Sequence, residues 1–178
     1  PLTWTPYSTP DGSFEITLVS DSITPAEDLW HLGRTTFVSG HGVWPQTSVE
    51  YTRLFGTLQR KSLDSLASFY WTPSMKRRYD VALVRDTVIL GCEARSVLLR
   101  NKIDAGRWRV LMLRPDSATL LVLTAQLSRD DGQQDRIVDE FFGSLKRSKV
   151  GTVAIGSRTS RSLVTGERLV NDTLGFAV

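Results

Sequence analysis

Hydrophobic and polar positions change rhythm along this chain, and the sharpest change falls between Arg107 and Arg147. From Arg107 to Arg114, Trp108, Val110 and Met112 share one strand face, while arginines alternate with them ahead of Leu111 and Leu113. Pro115-Asp116-Ser117 supplies the preset φ and the side-chain acceptor of a tight turn, and Thr119 to Leu127 returns as a nearly continuous apolar run. The pair predicts a hairpin. Ser128 followed by Asp131 is a helix-start signal, and Ile137, Val138, Phe141, Phe142 and Leu145 repeat at helical spacing behind it. A helix carrying this Phe-rich stripe is expected to lie across the hairpin.

The rest of the chain is read the same way. Leu2 to Pro10 is expected to be an extended arm, and Phe14, Ile16 and Leu18 alternate with Ser13, Glu15 and Thr17 as a strand with one buried face. Thr24-Pro25-Ala26-Glu27 combines a capping box with Pro at the first helical position, predicting a short helix through Leu29 and Trp30 before Gly33. Residues 34–38 extend it or begin a strand. Between Val49 and Leu58, strand and helix patterns compete, and Thr52 with Gly56 tilts the choice to strand. Leu63, Leu66, Ala67 and Tyr70 sit at helical spacing behind Ser62, a helix that Pro73 should stop, leaving Lys76-Arg77-Arg78 as a basic loop. In Tyr79 to Arg100, Val81 to Val84 and Val88 to Cys92 flank Asp86-Thr87 and Ala94 to Leu99 continues, which predicts a hairpin or one long strand bent at Gly91. Val150 to Ile155 is a further short strand candidate.

Composition adds bounds. With 178 residues, 40% hydrophobic and 23% charged, the chain has enough material for one well-cored domain. We expect that domain over 1–148, and a basic C-terminal arm over 149–178. No apolar run is long enough to span a membrane. The chain opens on Pro1 rather than Met, so any targeting segment is expected to lie outside it. A net charge of +3 and pI near 9.3 fall short of the concentrated basic stripe of a dedicated nucleic-acid binder. A protein partner is expected instead.

Chemistry-bearing residues do not converge. His31 and His41 have no metal ligands at zinc-site spacing, so no metal is expected. Cys92 sits in an apolar run and reads as a buried thiol, and no Gly-x-Ser-x-Gly elbow occurs. Gly151 and Gly156 have the spacing of a phosphate loop, but Ser157 stands where its Lys belongs. Asp130, Asp131 and Asp135 are accounted for by the dipole of a helix start, Gly40-His41-Gly42 is a turn, and Asn171-Asp172-Thr173 is a glycosylation sequon. No catalytic residue and no cofactor are assigned. Five tryptophans are more than a core of this size needs, so Trp44 and Trp71 are candidate exposed anchors of an interface. Lys146 and Arg147 offset the dipole of the helix they end, whereas Lys149, Arg158, Arg161 and Arg168 give the arm a positive surface suited to a partner.

One family shares this layout. Trp4-x-x-Tyr7-x-x-Pro10-x-Gly12-x-Phe14-x-Ile16, followed by Gly91-Cys-Glu-Ala-Arg95, Arg107-Trp-Arg-Val-Leu-Met-Leu113 and Asp139-Glu-Phe-Phe-Gly-Ser-Leu-Lys146, resembles the PsbP-like domains over roughly residues 4–147. The resemblance implies an α+β fold, an antiparallel sheet covered by helices in an α/β/α sandwich. It also implies an extracytoplasmic setting, periplasm or thylakoid lumen, and binding or assembly roles without a catalytic set. The expectation is a non-catalytic binding or assembly subunit. The order of elements is similar to helix-grip domains as well, which implies as the alternative a carrier of a hydrophobic ligand, its cavity lined by Met112, Leu121, Leu123 and Phe141 under the final helix.

Overall fold

The computed structural model describes residues 2–20, 22–40, 44–128, 132–148 and 167–168. In chain order the strands are β1 (Trp4–Ser8), β2 (Phe14–Val19), β3 (Ala26–Trp30), β4 (Gly33–Ser39), β5 (Gln46–Leu54), β6 (Tyr79–Ile89), β7 (Cys92–Asn101), β8 (Arg107–Asp116) and β9 (Thr119–Leu127), then the two-residue β10 (Lys146–Arg147) and β11 (Glu167–Arg168). Helices α1 (Leu63–Ala67) and α2 (Pro73–Arg78) join β5 to β6, and α3 (Gly132–Gly143) follows β9. The main sheet is antiparallel with order β3-β4-β5-β9-β8-β7-β6. It is two meanders joined where β5 pairs β9. The α1–α2 connection must therefore cross one face of the sheet, from central β5 to the far edge at β6.

Both faces of the central strands are buried, which is why β8 and β9 read as nearly unbroken apolar runs. Leu111, Leu113, Leu121 and Leu123 point to one face and pack with Phe14, Ile16, Phe141, Phe142 and Leu145. Val110, Met112, Leu120 and Val122 point to the other and pack with Leu63 and Leu66 of α1. Each of these fully buried leucines contributes about 2 kcal/mol of transfer free energy. The helix expected across the hairpin is present, with Phe141 and Leu145 in contact with the odd-numbered face only.

The arginines ahead of Leu111 on β8 are part of the same joint. Arg107 and Arg109 face α3, where Asp135 and Asp139 sit one turn apart; Arg107 meets Asp135 at 3.0 Å and Arg109 meets Asp139 at 2.6 Å. Arg109 also lies under the Phe142 ring, 5.5 Å from its centroid.

Several expectations are corrected. The described residues are 54% strand and 16% helix, so the fold is mostly β and not an α/β/α sandwich with helices over both faces. One face is covered by the β1–β2 hairpin together with α3, the other by helices of only five and six residues. The N-terminal arm is strand β1, paired to β2 from Trp4↔Val19 to Ser8↔Glu15. The short helix expected through Leu29 and Trp30 before Gly33 is the edge strand β3. Its backbone is satisfied by pairing with β4, and a five-residue helix would not recover its nucleation cost. Gly33 permits the close approach of β4 to β5 beside it, because a Cβ there would lie 1.9 Å from the Arg53 carbonyl oxygen. Pro73 does not merely stop a helix. It opens α2 behind the Thr72 cap, so Lys76, Arg77 and Arg78 form a last helical turn rather than a loop. The candidate strand at 150–155 lies outside the described residues.

Candidate functional site

The even-numbered face of the sheet is covered along only part of its length. Where α1 lies, that face is apolar: Leu120, Val122, Met112 and Val110. Further along the same strands it turns polar. The register places Ser48 opposite Thr124 and Gln46 opposite Gln126, with Glu50 next to Val122 on one side and Phe37 on the other. Ser48 and Thr124 hydroxyls hydrogen-bond across the strands at 2.5 Å. A row of polar groups is thus laid where no helix covers it, and a groove of about 500 Å³ stands over them.

The walls of the groove are aromatic and flexible apolar side chains. Ser62 caps α1 and Thr72 caps α2, each accepting from the backbone N–H three residues on, and this fixes the bend that carries Tyr70 and Trp71 between them. Tyr70 is held edge-on by Trp30, with ring centroids 5.2 Å apart, and Met75 follows on the first turn of α2. Trp108 and Leu99 close the end near β7, and Phe37 the opposite side. Among the described residues that line the groove, Glu50 is the one carboxylate and there is no Lys, Arg or His.

Glu50 and Tyr70 are coupled. The Tyr70 hydroxyl donates to Glu50 Oε2 at 3.2 Å. Burial raises the Glu50 carboxyl above its ordinary value, an effect the Tyr70 bond partly offsets. Burial also raises the Tyr70 phenol well above its own, with the nearby Glu50 charge adding to it. The pair can accept from or pair with a donor entering the groove.

Trp108 and Gln126 also line a second recess of about 160 Å³, shared with Trp44, Tyr79, Asn101 and Asp104. Of the two tryptophans singled out in the sequence, one therefore lines the groove and the other a recess that shares Trp108 and Gln126 with it. Trp71 is half-buried in the wall of the groove, and Trp44 is 45% exposed at the neighbouring recess. Lys149, Arg158 and Arg161 lie outside the described residues, as do His41, Asp130, Asp131 and the sequon at 171–173. For Arg168, only the backbone pairing with Lys146 is described. His31 sits in an aromatic group with Trp30 and Phe69, on the α1 side of the sheet, whereas Cys92 is buried in the cluster on the α3 side. The fold does not bring them together. Among the described residues no group of three or more His, Cys, Asp or Glu is placed to hold a metal, and no helix is long and apolar enough to cross a membrane.

The residues expected to line a ligand cavity under the final helix do not surround one space. Met112 belongs to the face opposite Leu121, Leu123 and Phe141, and all four are at most 1% exposed. The groove was missed because it depends on what fails to cover Thr124 and Gln126. The available signal was their place in β9: two polar residues, two apart, on the same side of an otherwise apolar strand.

Comparison with known proteins adds little. No family model matches the chain, and no curated protein matches it. Among solved structures it is similar to PA94 of Pseudomonas aeruginosa, a protein of unknown function, at 11% identity with a TM-score of 0.41, over 76% of this chain and 90% of that one. None of the three results bears on the resemblance to PsbP-like domains.

Proposed function

We propose that the protein is a non-catalytic binding module that receives a segment of a protein partner in the groove over β5, β9 and β8. The observation that carries the reading is the abrupt loss of cover on one sheet face, which leaves an aromatic-walled groove of about 500 Å³ over hydrogen-bonding groups. Aromatic anchors beside satisfied but accessible polar groups are the composition of interface centres. Trp44 at the adjoining recess extends the contact beyond the groove itself.

A photo-reactive amino acid in place of Trp71 tests this in extract from the source organism. The expected result is one defined cross-linked species, absent when the same group replaces Glu140, which is exposed on α3 across the sheet. Equal labelling from both positions, or none from Trp71, would overturn the proposal. A carrier of a small apolar ligand is the second reading, favoured by a volume within the roughly 300–1,000 Å³ of small-molecule sites. Native mass spectrometry of the purified protein checks it: a retained adduct that Trp71→Ala releases is its signature.

A further inference from the structure

We propose that the groove recognises the cationic side chain of a lysine or arginine, carried beside apolar residues on a partner polypeptide. This rests on the reading of the groove as a docking site and names what it selects. Three observations point the same way. Glu50 is the one charged group among the described lining residues, and it stands in the floor rather than at the rim. Phe37, Tyr70, Trp71 and Trp108 place aromatic rings in the walls around the space above it, and ring faces attract organic cations most strongly where water is excluded. Ser48, Thr124, Gln46 and Gln126 then offer oxygen acceptors along the same floor, matching the several N–H donors of an ammonium or guanidinium group.

The chemistry of the ligand follows from what would be lost without it. A neutral apolar segment would cover Glu50 and strip it of water with nothing in return, which penalises binding. An anionic segment would add repulsion. A cation at the end of an aliphatic stem satisfies both halves of the site: the stem lies against Met75, Leu99 and Val110, and the charged head meets Glu50. Tyr70 is a positioning residue here, holding the carboxylate oriented through its hydroxyl.

The test uses isothermal titration calorimetry with the full chain and three probes. These are a capped peptide with Lys between leucines, the same peptide with norleucine for Lys, and hexyltrimethylammonium. The Lys peptide is expected to bind at least about tenfold more tightly than the norleucine peptide, the size of a partly desolvated cation contact. In Glu50→Gln, which keeps an acceptor for Tyr70, that preference should vanish while the melting curve stays cooperative. Equal affinity for the two peptides, or a preference that survives in Glu50→Gln, would overturn the inference. Hexyltrimethylammonium binding as tightly as the Lys peptide would overturn the polypeptide as the source of the cation. Should the lysine preference fail while cross-linking from position 71 stays specific, the docking groove stands and only its selectivity falls.

Discussion

Removing the carboxylate of Asp139 should weaken the fold more than removing its arginine. Arg109 is 5% exposed and donates to Asp139 at 2.6 Å, while Asp139 itself is 36% exposed. Taking away one partner of a fully buried pair costs about 3–5 kcal/mol, because the other charge is left desolvated. Here the Asp135 carboxylate remains 3.9 Å from Arg109, and solvent reaches the Asp139 side, so Asp139→Ala should cost about 2 kcal/mol. For a chain of this size that lowers Tm by about 4–8 °C. Arg109→Met keeps an aliphatic stem against Phe142 and leaves Asp139 free to turn toward water, so its cost should stay near about 1 kcal/mol. The double variant should then match Arg109→Met rather than the sum. Urea unfolding followed by circular dichroism, with the slope of the transition unchanged, measures all three. If Arg109→Met proves the more damaging, or if the two costs add, the cation is not the buried member of the pair and the reasoning fails.

Two further predictions follow from the site and the turn before it. The raised carboxyl of Glu50 means that the fold favours its neutral form, so its stability contribution is full below the ordinary value of 4.5 and is lost as pH rises through the higher folded value. Glu50→Gln should accordingly melt above the wild type at pH 7 and with it below pH 4.5; a gap that persists in acid would show that charge is not the cause. Gly33→Ala, whose Cβ would fall 1.9 Å from a backbone oxygen, should cost more than about 2 kcal/mol, whereas Gly56→Ala, with nothing within 4 Å, should stay within about 0.5 kcal/mol. Parallel thermal melts compare them, and equal losses would refute the close approach of β4 to β5.

Local pattern was enough for the elements that carry their own evidence. Phe14, Ile16 and Leu18 alternate and form a strand, and the Phe141–Leu145 stripe lies on the sheet, whereas β6 runs on through Asp86-Thr87 and turns at Leu90-Gly91, where both residues have positive φ. The first two outcomes follow from side-chain periodicity, which a chain expresses before it has any neighbours. Residues 25–33 went the other way: the capping box of Thr24 to Glu27 is a preference of a few tenths to about 1 kcal/mol, and pairing to β4 outweighs it. The mostly β character was likewise hidden, since a short hairpin and a helix bury the same apolar stripe equally well.

The groove belongs to tertiary structure alone. Gln46, Ser48, Glu50, Thr124 and Gln126 are strand residues of ordinary kind; alternation puts Thr124 and Gln126 on one face of β9, but nothing local says what lies above that face. Only the pairing of β5 with β9 sets them side by side, and only the shortness of α1 and α2 leaves them open. Sequence decided which residues are apolar and at what period; the crossing of one sheet face by too little helix decided where a groove is left open.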